Sequence, residues 1–147
     1  MKPANSSVSN SIGFTLLEVI AVLLLISIVS AVAISKTAST ESEQALSEVH
    51  QVKAHLRYAQ SRAMADNAAW GIYYASSNTY WLFETTGGNR KLLPGQTADT
   101  VTLAYLTITG TPQTITFDGY GSPGANTLVI HTSSTNITVT ANTGYIP

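Results

Sequence analysis

The sequence predicts an α+β protein in which one long N-terminal helix, apolar in its first half, packs on a small antiparallel β-sheet head. Three observations carry that expectation. An almost unbroken apolar run extends from Phe14 to Ile34. Apolar residues then recur at steps of three and four from Leu46 to Ala63. After Trp70 the chain becomes a series of short β-type runs separated by Gly, Pro and Asn, the pattern of hairpins rather than of further helices.

Residues 1–13 are polar and rich in Ser, with no apolar period, and read as a leader or tail. Residues 14–35 follow as a membrane-spanning helix. At about 1.5 Å per residue, roughly twenty apolar residues cross a hydrocarbon core of about 30 Å. Two other readings of the run fit less well. A secretory signal cleaved near SAVAIS (Ser30–Ser35) would carry Glu18 inside its hydrophobic region and Lys2 as its only basic residue, and a buried core helix would be shorter. Flanking charge does not orient the span, because Lys2 and the terminal amine on one side face Lys36 on the other. Glu18 stands out: a carboxylate within a bilayer costs about 2.5–3.5 kcal/mol even on lenient insertion scales.

Residues 36–66 continue as an amphipathic helix. Leu46, Val49, Val52, Leu56, Ala59 and Ala63 form its apolar stripe, with Glu43, Glu48, Lys53, Arg57 and Arg62 between them. Neither Pro nor Gly interrupts Phe14 to Asn67, so the two segments are predicted to form one helix. DNAAWG ends it, with Asn67 and Gly71 as terminators. Residues 67–147 are the β-rich head, with strands at WGIYY, TYWLF, VTLAYL, QTITF, TLVIHT and NITVT. Alternation in TITF and NITVTA means one buried face, and the stripe from Leu46 to Ala63 is its natural cover.

Several chemistries are excluded. Formal net charge is −1, and beyond Lys91 the charged residues are Asp99 and Asp118, which is no phosphate-binding surface. The chain has no cysteine, hence no disulfide framework and no thiolate ligands. His50 and His55 do not share a helix face and His131 lies far off in sequence, so no metal is expected. FDGYGSPG lacks the spacing and the basic residue of a phosphate loop and reads as a turn tip. No catalytic set is present and no cofactor is implied; a membrane-tethered enzyme is the disfavoured reading. The aromatic group Trp70, Tyr73, Tyr74, Tyr80, Trp81 and Phe83 reads as core packing across a hairpin, alternate members facing inward, with a partner- or carbohydrate-binding face as the alternative, and Arg90 and Lys91 form an exposed basic pair.

The stretch GFTLLEVIAVLLLIS resembles the class III signal peptide of type IV pilins and type II secretion pseudopilins: a short polar leader ending in Gly13, then Phe14, Thr15 and a Glu five residues into the mature chain, Glu18. ITFDGYGSPGANTLVI followed by ITVTANTGYI is similar to the GspH/FimT-type minor pseudopilin and minor pilin domain. The resemblance implies a pilin-like fold and a structural, non-catalytic minor subunit. A prepilin peptidase would cut between Gly13 and Phe14 and methylate the Phe14 amine. Glu18, with Thr15 beside it, would serve filament assembly by meeting the ammonium of a neighbouring subunit. Implied partners are the peptidase, other pilin or pseudopilin subunits, an inner-membrane assembly platform and lipid. The implied location is the inner membrane, single-pass with the head in the periplasm, and then the filament. A DNA-binding minor pilin for DNA uptake is the alternative, although nucleic acid is not an expected partner of a tail without basic residues. Two departures are visible: Ser27–Lys36 lacks the helix-breaking Pro common in such spans, and the missing Cys argues against a disulfide-looped major pilin. Secretion pseudopilus and pilus fit the residues equally.

Overall fold

The uninterrupted stretch without Pro or Gly does fold as one helical element. The computed structural model describes residues 15–110 and 113–147, with the side chains of residues 34–39 excepted. Its helix α1 spans Leu16–Asp66. The predicted leader and the Gly13–Phe14 junction lie outside the described residues. The chain divides into two compact units, Met1–Ala38 and Ser39–Pro147.

In the first unit, Leu16–Ala33 is long and apolar enough to cross a membrane, and none of it is buried within the protein. In the second unit, Ala45, Val49, Val52, Leu56, Ala59 and Ala63 of α1 enter one core with the strands. The predicted stripe is therefore correct except at its start. Leu46 is 43% exposed and Ala45 takes its place. At 100° per residue Ala45 lies on the centre line of the stripe, whereas Leu46 sits about 100° away from it.

The helix ends as its sequence predicts. Asn67 adopts a left-handed φ of 49°, and the Ala68 N–H reaches back to the Ala63 carbonyl at 3.3 Å, the six-to-one bond of a Schellman ending. Gly71 has a different role from the one expected of it. It lies inside β1 (Trp70–Tyr74), where a Cβ would strike the Ile115 carbonyl oxygen and come within 2.7 Å of the Phe83 ring. Close approach of neighbouring chain, rather than helix termination, requires glycine here.

Strand β1 is central in a five-stranded antiparallel sheet. On one side it pairs with β2 (Thr79–Glu84), on the other with β6 (Thr114–Phe117). The far edge of β2 is shared by β3 (Arg90–Lys91) and β4 (Val101–Thr102). A three-stranded sheet places β7 (Leu128–Thr132) between β5 (Ile108–Gly110) and β8 (Ile137–Val139). Alternation in β6 behaves as read: Ile115 and Phe117 are fully buried while Thr114 and Thr116 are only partly covered. VTLAYL, expected as one strand, is strand only at Val101–Thr102, because the N–H groups from Ala104 to Leu106 turn to a side chain instead of a ladder. The short strands β3 and β5 were not predicted; two or three residues carry no period.

Candidate functional site

In the first unit the predicted site residues Thr15 and Glu18 meet at the start of α1. The Thr15 carbonyl accepts the N–H groups of Glu18 and Val19 at 3.1 and 3.2 Å, and its Oγ1 accepts the Glu18 N–H at 3.3 Å. Thr15 is thus the N-cap and Glu18 the third helical residue, the spacing of a capping box. The Glu18 side chain is exposed, as are its neighbours Leu16, Leu17 and Val19. A first-turn carboxylate gains about 0.3–1 kcal/mol from the helix dipole. Ser27, further along, donates its hydroxyl to the Leu24 carbonyl at 2.7 Å, so its polar group is satisfied within the helix, as lipid requires.

The head is tied to its own part of α1 by four polar side chains on the borders of the buried stripe. Glu48 accepts three backbone N–H groups, from Ala104 at 2.8 Å, Tyr105 at 3.0 Å and Leu106 at 2.7 Å. His55 is buried, its Nδ1 lying 2.8 Å from the Tyr80 hydroxyl. Burial lowers the His55 pKa, with the Pro94 backbone acting in the opposite direction; burial, and then the nearby Glu48 charge, raise that of Tyr80. Arg57 donates to the Ile146 carbonyl at 2.9 Å. The Gln60 amide donates to the carbonyls of Gly121 at 2.8 Å and Thr143 at 3.0 Å, binding the FDGYG turn to the C-terminal segment.

The sequence-predicted aromatic cluster separates across the sheet. Trp70, Tyr74 and Tyr80 join the helix-facing core. On the other face Tyr73 stacks on Trp81 with centroids 4.6 Å apart, and Arg90 lies 3.8 Å over the Trp81 ring. Lys91 pairs with Glu84 at 2.8 Å. The predicted basic pair is therefore one stacked guanidinium and one neutralised ammonium. Among the described residues no cluster of His, Asp and Glu could hold a metal ion. The Asp118 carboxylate accepts the N–H groups of Tyr120 and Ser122 at 2.9 Å each, so FDGYG is a self-capped turn.

The roles of Glu48 and Gln60 were not foreseen. A signal for the first existed: Glu48, His55 and Arg62 recur every seven residues along one border of the stripe, and Arg62 too is engaged, with Asp66 at 2.7 Å and over the Trp70 ring.

Against known proteins, the family model of the type II transport protein GspH matches residues 48–144, more than half of the chain. The prokaryotic N-terminal methylation motif matches residues 8–34. No curated protein and no solved structure matches the chain. A helix-capped β head with the GspH pattern, behind a methylation motif and an apolar helix, is a structural subunit of pseudopilin type and not an enzyme: the chain belongs to the GspH family of type II transport proteins.

Proposed function

We propose that the protein is made as a precursor, cut by prepilin peptidase between Gly13 and Phe14, methylated at the Phe14 amine and then built through its apolar helix into a pseudopilus or pilus. Residues 1–13 are the removed leader, on the cytoplasmic side; residues 14–35 anchor the subunit in the inner membrane and later in the filament core; residues 36–66 carry the head, 67–147, in the periplasm. Other subunits and an inner-membrane assembly platform are the partners.

The observation that carries this reading is the methylation-motif match over residues 8–34, which includes Glu18. Magnitudes give Glu18 its part. The helix dipole offers about 0.3–1 kcal/mol, less than the about 2.5–3.5 kcal/mol that a carboxylate costs in a bilayer. Local geometry leaves a deficit, and an ammonium supplied by the Phe14 terminus of a neighbouring subunit closes it, since opposite charges attract strongly in low dielectric. Thr15 supports this by capping the turn that holds Glu18.

Glu18→Ala should leave processing intact while lowering incorporation into filaments, and Gly13→Ser should block processing. Mass spectrometry of the native N-terminus reads the first step, and shearing or cross-linking of assembled filaments the second. Recovery of an intact Met1, or wild-type incorporation of Glu18→Ala, would overturn the assignment. DNA capture gains no support from a head whose Arg90 is stacked and whose Lys91 is paired; a gel shift across a salt series tests it.

A further inference from the structure

Strand β6 closes one side of the five-stranded sheet and pairs with β1 alone. The register fixes which of its backbone groups are free. The Tyr74 N–H donates to the Gln113 carbonyl at 2.9 Å, so these two residues form a hydrogen-bonded pair, and the alternation of an antiparallel ladder makes Ile72 with Ile115 and Trp70 with Phe117 the next ones. Thr114 and Thr116, opposite Tyr73 and Gly71, fall between them, and their N–H and C=O groups point away from β1. Among the described residues, none of these outward groups has a hydrogen-bond partner.

Strand β6 also lacks the devices that keep sheet edges from pairing. Thr114–Phe117 holds no charge and no proline, and its register with β1 is regular. The other edges are blunted. Strand β3 is two basic residues, and its outward Arg90 N–H is already given to the Gly88 carbonyl at 3.1 Å. Strand β4 is two residues long, and β5 shifts register between Ile108 and Gly110. After β8 the chain turns back, the Thr140 N–H taking the Tyr145 carbonyl at 2.9 Å.

We infer that the β6 edge takes an added strand from a different chain of the filament: an extended, proline-free segment, antiparallel to β6, whose backbone exchanges hydrogen bonds with Thr114 and Thr116. This rests on the filament reading above and supplies one of its contacts. Donors and acceptors alternating at strand spacing are complementary to another extended backbone, and the partly exposed Thr114 and Thr116 side chains favour Thr or Ser opposite them. A second copy of this chain fits poorly. Pairing β6 with β6 needs a twofold axis perpendicular to the sheet, which reverses the part of α1 packed on it, whereas subunits drawn from one membrane point one way. A copy in the same direction would bring up β3 or β4; β3 has no outward N–H left, and β4 turns only Thr102 outward.

Residue-resolved amide exchange on the unmodified full-length protein, in membranes with and without the assembly machinery, tests this. On assembly the Thr114 and Thr116 amides should exchange about tenfold or more slowly, while Ile115, already bonded to β1, should be unchanged. Thr116→Pro removes one outward donor where an edge strand admits proline; it should lower incorporation into sheared filaments about five- to tenfold, as the loss of one net hydrogen bond does, and Thr116→Val, which keeps the N–H, should not. Unchanged thermal unfolding shows the Thr116→Pro head intact; if that variant does not fold, Thr114→Lys, which charges the edge and keeps every N–H, takes its place. Unaltered exchange at Thr114 and Thr116 on assembly, or equal losses in Thr116→Pro and Thr116→Val, would overturn the inference. So would protection of these amides in the purified full-length protein alone at rising concentration, which would mark a second copy as the occupant. Mass spectrometry of the N-terminus separates the two readings: a methylated Phe14 terminus with unprotected Thr114 and Thr116 removes the added strand and leaves the proposed function, whereas an unprocessed Met1 terminus removes the function itself.

Discussion

Among the described residues of α1, Glu48 makes the most hydrogen bonds to the head of any polar side chain, and its replacement tests how that hold works. Its carboxylate takes three N–H groups from consecutive residues, of which the Leu106 bond is part-buried and the Ala104 and Tyr105 bonds are exposed. In Glu48→Ala, water can replace the acceptor for the two exposed groups, at about 0.5 kcal/mol each, while the Leu106 N–H loses a charge-assisted bond worth about 1.5–3 kcal/mol. The expected destabilisation is about 2.5–4 kcal/mol, which for a head of this size lowers Tm by about 10–20 °C. Glu48→Gln keeps one acceptor oxygen but turns an amide N–H₂ toward N–H donors, so it should recover about half of the loss. Thermal unfolding of the Ser39–Pro147 segment measures both variants, since every residue of the buried core cluster lies within it. Amide exchange at Leu106 should quicken in step. A loss below about 0.5 kcal/mol in Glu48→Ala would mean that the loop from Leu103 to Thr107 is held by burial of Leu103 and Leu106 alone, and the carboxylate account would be wrong.

Two further outcomes follow from buried groups. The His55 pKa is lowered in the folded head by burial, so above pH 6.5 neither state binds its proton and the group contributes nothing to the pH dependence. As pH falls below 6.5 the unfolded chain takes the proton first, and stability is lost until the folded pKa is also passed; in a pH series of melting curves, His55→Gln should flatten that slope, and an unchanged slope would exclude His55 as its source. Gly71→Ala places a methyl group against a backbone oxygen of β6 and the Phe83 ring, and should cost about 2–4 kcal/mol, well beyond what alanine costs at Gly88, around which a Cβ would have open space; equal effects in the same unfolding assay would show that the sheet yields at that point.

What was readable in the sequence followed from periodicity, and what was not followed from partners distant along the chain. The stripe from Val49 to Ala63 is a repeat of three and four that any core-facing helix needs, and the structure buries all of it. Asn67 is equally local: a left-handed residue ends the helix where an Asn stands. Leu46 failed because two residues, Ala45 and Leu46, both continue the spacing, and the sheet accepts only the one on the centre line. VTLAYL failed because its backbone is claimed by Glu48, 56 to 58 residues away in sequence, and no window of local pattern contains that information. Strand alternation divides the aromatic group: Trp70, Tyr74 and Tyr80 face the core, while the β1–β2 pairing sets Tyr73 opposite Trp81 and so stacks these two on the face away from α1. At the candidate site, Thr15 and Glu18 were legible because a capping turn is local; what they meet in another subunit is not a property of one chain.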